Sequence, residues 1–242
     1  MPRTLYKTIY DDLKIQIEEG NYAPQTLLPS EKKLIEIYNC SRNTVRRAIN
    51  DLAQEGYVQS VHGKGVFVIY RPTHQAMFAM GGIESFEESA IRNRLHARTR
   101  VAAFAEITCD KRVSKRTGFP VGEPLYYIQR VRYLDNIPSI LDINLFSRKS
   151  VPGLTFEIAE NSIYEYIEKK LGLTIVTSKR IMTVEKATEI DEKYLNLNLD
   201  DYNCLAVVTS QTYGSDGTMF EYTQSRHLPK YFCFMTTATR KI

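Results

Sequence analysis

Arg42, Asn43, Arg46, Arg47, Asn50 and Gln54 fall within one short stretch of a 242-residue chain, and they are types that read or hold nucleic acid. At helical spacing, Asn43, Arg47, Asn50 and Gln54 point away from the apolar stripe of Val45, Ala48, Ile49, Leu52 and Ala53. Arg46 sits on the flank and Arg42 in the first turn. Arg forks onto guanine edges, Asn and Gln pair with adenine, and Thr44 near the helix start can hold a phosphate. Any surface helix has a solvated face, so this pattern needs its context. Gly63-Lys64-Gly65 places one cation between two residues that let a backbone approach a groove closely. A phosphate loop is excluded there, because no Gly-Lys-Ser/Thr follows and no helix begins. Farther on, Arg130 and Arg132 lie two apart on a strand and project from one face, with forks suited to phosphate or to neighbouring carboxylates.

Elements that would position these groups can be read from periodicity. Tyr6, Ile9, Tyr10, Leu13 and Ile17 mark a first helix ending at Gly20. Ser30 caps a second, with Leu34, Ile37 and Tyr38 inward, ending near Asn39. Only Asn39, Cys40 and Ser41 separate it from the third helix, which stops at Gly56, and this is a helix-turn-helix layout. The period then changes to two across Tyr57–Val61 and Val66–Tyr70 around the glycine turn, a hairpin forming the wing of a winged helix. Residues 1–70 thus form one domain, 71–80 an extended linker, and 81–242 a second domain. In it, Leu125–Leu134 with Ile137–Phe146 and Cys204–Tyr213 with Thr218–Ser225 read as two hairpins, implying an antiparallel sheet and an α+β fold. Ser162 with Glu165 signals a capping box for a helix over Ile163–Leu171, and Thr188 with Asp191 starts another.

The net charge of +4 is too small to argue for nucleic acid by itself. Its distribution is more telling: residues 41–71 hold five Lys and Arg against two Asp and Glu, while residues 1–40 hold five against six. No apolar run approaches membrane-spanning length and no secretory leader opens the chain, so a cytoplasmic location without membrane contact is expected. Cys40, Cys109, Cys204 and Cys233 are scattered and the four histidines isolated, which argues for reduced thiols and against a metal site. No nucleophile–base constellation suggests catalysis, and no cofactor is implied.

Four motifs in order carry a resemblance: Leu28-Pro29-Ser30-Glu31, Cys40-Ser41-Arg42-Asn43-Thr44-Val45-Arg46-Arg47-Ala48, Glu55-Gly56-Tyr57 and Gly63-Lys64-Gly65. Over residues 4–70 the chain resembles the GntR-type winged-helix regulators. That likeness implies operator contacts by Arg42, Thr44, Arg46 and Gly65, helped by Arg47 and Lys64, with Ser30, Asn43 and Gly63 on the same surface. An all-helical effector domain is disfavoured by the two hairpins, and a pyridoxal phosphate domain by length. What remains resembles the HutC subfamily, with a chorismate-lyase-like α/β domain on an antiparallel sheet. The stretches Gly82–Phe86, Gln129–Arg132, Ile140–Asp142, Ser162–Tyr166 and Phe220–His227 carry that likeness. The run from Val151 to Glu168 looks most like the trehalose operon repressors, which implies trehalose 6-phosphate as effector, with an amino-sugar phosphate as alternative. The resemblance places Ser85 and Phe86 in a loop over the ligand. It sets Arg130, Arg132, Asp142, Ser162 and Glu221 around the ligand, and Arg226 and His227 at its far end. It also implies a homodimer, joined through residues 81–242, on a two-fold symmetric double-stranded operator. A lyase-like enzyme fused to a DNA-binding module, or a constitutive architectural binder without effector, are the competing classes.

Overall fold

The computed structural model describes residues 5–71, 78–79, 82–198, 200, 203–235 and 238. Two compact units divide the chain, one formed mainly by residues up to Arg71 and one by Gly82–Cys233. Of the expected linker, Arg71, Phe78 and Ala79 are described and the rest lies outside the described residues.

In the amino-terminal unit α1 (Leu5–Glu18), α2 (Glu31–Tyr38) and α3 (Arg42–Gln54) enclose a core of Ile9, Leu13, Leu34, Val45, Ala48, Ile49 and Leu52. The Ser30 hydroxyl accepts from the Lys33 amide, and the Ser41 hydroxyl from the Thr44 amide, so each of α2 and α3 starts on a satisfied donor. Asn39 ends α2 in the left-handed region, at φ 45°, which turns the chain within three residues into α3. The wing pairs β1 (Val58–Val61) with β2 (Gly65–Val68), Val58 opposite Val68 and Val61 opposite Gly65. A third extended segment, absent from the sequence reading, lies along β2. The amides of Gln25 and Leu28 donate to the carbonyls of Val68 and Val66 at 2.8 Å, and the Val68 amide returns to Thr26 at 2.9 Å.

The second unit is an antiparallel sheet with short helices on both faces. After β3 (Phe78–Ala79) come α4 (Phe86–Arg92), β4 (Ala97–Thr108), α5 (Lys111–Thr117), β5 (Pro124–Leu134), β6 (Ile137–Ser147), α6 (Phe156–Glu160) and α7 (Ile163–Glu165). The last runs into a wider π turn, Tyr166–Lys170. Then follow β7 (Ile175–Lys186), α8 (Glu189–Leu195), β8 (Cys204–Gly214) and β9 (Met219–His227), while the two-residue β10 (Phe234–Met235) falls in the first unit. Six strands run in the order β4-β5-β6-β9-β8-β7. The two expected hairpins are β5–β6 and β8–β9, and they join because β6 pairs with β9. Asp135 and Asn136, both at positive φ, make the tight turn of the first. β4 and β7 extend the sheet on either side beyond what the two hairpins suggested.

Of the two expected capping boxes, one forms only in half and the other, at α8, forms. The Ser162 hydroxyl accepts from the Glu165 amide at 3.2 Å, but the Glu165 carboxylate turns to Lys169, so only half a capping box forms. The expected helix to Leu171 is accordingly one α turn continued by a π turn. At α8, the Asp191 carboxylate accepts from both the Thr188 amide, at 2.9 Å, and its hydroxyl, at 2.7 Å.

Strand alternation assigns the sheet faces. On one, Tyr126, Ile128 and Phe146 pack with Ala159, Ile163 and Ile167 of α6, α7 and the π turn. On the other, Val131, Leu141 and Val207 meet Leu195 of α8, and Leu125, Leu145 and Tyr222 meet Phe119 beside α5.

Candidate DNA interface and effector site

The outward face of α3 is polar and exposed as its periodicity requires: Arg42, Asn43, Arg46, Arg47 and Asn50 are all open to solvent. Glu31, the first residue of α2, holds two of the cations. Arg46 Nε donates to Glu31 Oε1 at 2.9 Å, and Arg42 Nε lies 3.8 Å from Oε2. Exposed pairs of this kind contribute at most about 1 kcal/mol, so they orient the two Arg side chains without locking them. Arg47 stacks its guanidinium 3.8 Å from the Tyr6 ring centre, and a shallow cleft lined by Leu5, Tyr6, Asn43, Thr44 and Arg47 opens where α1 meets α3. Ser30, Ser41 and Thr44 stand at the starts of the two helices, the last two linked hydroxyl to hydroxyl at 2.8 Å. In the wing, Lys64 is exposed between Gly63 and Gly65. Gly65 is required by its own fold: φ is +115°, and a Cβ would sit 3.1 Å from Leu27 Cδ2.

The second site is a buried polar cluster on one face of the sheet. Cross-strand register sets Arg130 opposite Asp142, and Asp142 opposite Ser225. Asn144 faces Thr223, Phe146 faces Glu221, and Ile140 faces both Arg132 and His227. Arg130, Arg132, Asp142, Asn144, Glu221, Thr223 and His227 are all at most 8% exposed. Such a density of buried polar groups needs internal partners. Arg132 supplies some: its Nε donates to Asp142 Oδ2 at 2.8 Å, its Nη1 donates to Thr99 at 2.7 Å, and Phe86 of α4 lies 5.0 Å beneath its guanidinium. Ser225 donates to the other Asp142 oxygen at 2.6 Å. Glu221 accepts from Tyr164 of α7 at 2.7 Å and from Thr223 at 2.8 Å, and Asn144 donates to Thr223 at 2.7 Å.

Arg130 is the member left incomplete. Its Nε donates to Asn144 Oδ1 at 2.9 Å, but among the described residues its two terminal amino groups make no hydrogen bond and no carboxylate pairs with it. Burial, reinforced by neighbouring Arg132, pushes its pKa down to about 9. Burial also works against the Asp142 carboxylate, but Arg132 and Arg130 outweigh it and hold that pKa below its ordinary value. His227 is pushed down to about 4 by burial, so its imidazole is neutral at neutral pH. The cluster therefore presents a desolvated cationic fork beside hydroxyls, a carboxamide and two carboxylates, an arrangement fitted to a polar anion.

The structure gathers most of the sequence-selected groups and separates one. Ser85 and Phe86 are the cap and first residue of α4, its Ser85–Glu88 capping box complete, so a helix start occupies the place where a loop was expected. Arg130, Arg132, Asp142, Glu221 and His227 share a face. Ser162 caps α7, two residues before Tyr164. Arg226 belongs to the opposite face, because adjacent strand residues point to opposite sides. There it donates four hydrogen bonds, to Asp191, Glu185 and the Lys186 carbonyl, and fastens α8 to the sheet. Thr99, Asn144, Tyr164, Thr223 and Ser225 were missed. Polar residues at every second position from Glu221 to His227 were a usable sign, blurred because Gln224 and Arg226 make the other face of β9 polar as well.

A three-helix unit with a basic outward helix and wing, linked to a sheet with an open buried guanidinium, defines a DNA-binding regulator with a small-molecule site. Residues 5–68 match the bacterial regulatory proteins of the gntR family and residues 92–232 match the UTRA domain. The chain belongs to the GntR family, in its HutC-type branch, and is a transcriptional repressor of that type. The HTH-type transcriptional regulator TreR of Bacillus subtilis (strain 168) is 38% identical over 233 residues, spanning 96% of each chain. The mannosyl-D-glycerate transport/metabolism system repressor MngR of Escherichia coli (strain K12) is 27% identical over 99% of this chain and 98% of its own. Among solved structures, the effector-binding domain of the B. subtilis trehalose repressor TreR is 35% identical at a TM-score of 0.53, covering 60% of this chain and 99% of that one. The possible transcriptional regulator YydK of B. subtilis shares the fold at a TM-score of 0.81 and 21% identity, over 98% and 100% of the two chains. No helix among the described residues is long and apolar enough to cross a membrane, and none of their His, Cys, Asp and Glu residues group as a metal site.

Proposed function

We propose that this protein represses a trehalose-utilisation operon and leaves its operator when trehalose 6-phosphate enters the buried cluster of the sheet. The observation that carries the reading is Arg130, a buried guanidinium whose terminal amino groups are unused within the described residues. A phosphate takes two parallel N–H···O bonds from such a fork. Arg132, Asp142 and Glu221 then meet the sugar hydroxyls, Ser162 stands at the start of the α7 turn, Ser85 and Phe86 cover the site from α4, and His227 closes it. The trehalose repressor named among the relatives supports the choice of sugar. On the DNA side, Arg42, Asn43, Thr44, Arg46 and Arg47 face the major groove and its phosphates, with Ser30, Gly63, Lys64 and Gly65 around them. Two copies of the chain, joined through their sheet domains, read the two halves of a symmetric operator.

The test is calorimetric titration with trehalose 6-phosphate, trehalose, glucose 6-phosphate, glucosamine 6-phosphate and inorganic phosphate, in parallel with operator release followed by fluorescence anisotropy. Trehalose 6-phosphate should bind and release the operator, with unphosphorylated trehalose at least tenfold weaker. Equal affinity for the two removes the phosphate from Arg130. Tighter binding of glucosamine 6-phosphate changes the sugar, and binding of none removes the effector.

A further inference from the structure

The two edges of the six-stranded sheet are built differently. Among the described residues, no further strand pairs with the outer side of β4 or β7. β4 exposes no large apolar side chain, whereas Val176, Ile181, Met182 and Val184 of β7 are 54%, 55%, 40% and 74% exposed. Proteins ordinarily guard a bare edge with proline, a bulge, charged side chains or a short strand, because its free amides and carbonyls recruit another strand; on β7 the charges, Lys179, Arg180, Glu185 and Lys186, flank an uncharged run from Ile181 to Val184. From Ser178 to Lys186, β7 has no proline and stays in unbroken register with β8. An edge this long, unbroken over Ser178–Lys186 and apolar at its centre is a pairing surface.

The charges on β7 select its occupant. A second copy of the same strand, related by a two-fold axis normal to the sheet, pairs antiparallel and keeps each face on its own side. Opposed residues must then have the same parity in sequence. Under that condition one register alone brings opposite charges face to face: centred on Met182, it sets Lys179 against the partner's Glu185, and by symmetry does so twice. Met182 meets its own copy, Ile181 faces the partner's Thr183, and no like charges are opposed. Lys179 is exposed, and Glu185, although Arg226 Nη1 donates to it at 2.7 Å, keeps a side chain 40% exposed. Each opposed pair adds about one backbone hydrogen bond.

We infer that β7 pairs with β7 of a second copy of this chain about Met182, joining two six-stranded sheets into one continuous sheet. This rests on the homodimer in the proposed function and assigns its surface. Position 182, lying on the axis, offers a sharp test, because directly opposed side chains have Cβ atoms about 5 Å apart. Full-length Met182→Lys and Met182→Glu should each dimerise at least roughly tenfold more weakly than wild type in sedimentation velocity, through like-charge contact. An equimolar mixture of the two should recover the dimer. Thermal melts followed by circular dichroism should show all three proteins folded, since Met182 is partly exposed. A monomeric wild type at micromolar concentration, variants that dimerise as tightly as wild type, or a mixture that stays dissociated would each overturn the inference. The measurement involves neither DNA nor sugar, so its failure is separate from failure of the effector reading.

Discussion

Replacing Arg130 by Met keeps most of the side-chain volume and removes only the guanidinium. Unliganded, the variant loses one hydrogen bond, Nε to Asn144 Oδ1 at 2.9 Å, worth about 1 kcal/mol. Against that, it no longer buries a cation that has no carboxylate partner among the described residues, a change that is often neutral or stabilising. The melting temperature without ligand should therefore stay within about 4 °C of wild type, in either direction, for a chain of this size. Bound trehalose 6-phosphate, by contrast, loses two charge-assisted hydrogen bonds, each worth about 1.5 kcal/mol or more, so affinity should fall roughly a hundredfold. Operator affinity should be unchanged while release by the sugar phosphate is lost, since a ligand shifts an equilibrium only by its difference in affinity for the two states. Calorimetry, thermal melts and operator anisotropy on both proteins read all three quantities. The reasoning is refuted if Arg130→Met binds trehalose 6-phosphate as tightly as wild type, or if the unliganded protein melts more than about 10 °C lower.

Other consequences follow from the same geometry. Arg46→Ala should weaken operator binding and lower the slope of log affinity against log salt by about 0.9, with stability changed by less than about 0.5 kcal/mol because the side chain is exposed; anisotropy titrations across salt concentrations check it. Arg226→Ala should cost about 3–5 kcal/mol in urea unfolding, because Asp191, fully buried, would keep a charge without its main partner. For His227, the folded protein resists protonation down to about pH 4 while the unfolded chain titrates near 6.5. The unfolded state therefore holds more protons between those values, and stability should decline as pH falls from about 6.5 to about 4, by roughly 3 kcal/mol in total. His227→Phe should flatten that part of the stability profile relative to wild type.

The amino-terminal unit was legible because its signals are local. Ser30 and Ser41 cap where they stand in sequence, and the stripe from Val45 to Leu52 has one period. Gln25–Leu28 escaped notice because its partner is β2, some forty residues away. In the sheet, β5, β6, β8 and β9 announced themselves through turns at Asp135-Asn136 and Ser215-Asp216-Gly217. The edge strands have no such turn beside them: β4 contains Ala97, Ala102, Ala103 and Ala105, which favour no strand, and β7 reaches β8 only after α8. Within the site, the pair Arg130 and Arg132 was visible by spacing, and so was their common face. Burial was not, since only the packing of α4, α6 and α7 over that face turns a polar strand into a desolvated cluster. The separation of Arg226 from His227 follows from strand geometry alone and needed only a parity argument.

The strap of Gln25–Leu28 has a consequence for the operator itself. It is hydrogen-bonded to β2, places Leu27 against Gly65, and runs directly into Ser30, the cap of α2, from which a three-residue turn leads to α3. Hairpin tip and recognition helix are thus two prongs of one caliper with no joint between them. On duplex DNA, one inserted base pair between the positions they touch moves the second by about 3.4 Å along the axis and about a tenth of a turn around it. A jointed reader would follow that displacement. On the DNA contacts proposed above for α3 and the wing, this one has a fixed gauge, so the operator should keep the interval between helix-read and wing-read positions to the base pair, even where the bases inside that interval are free to vary.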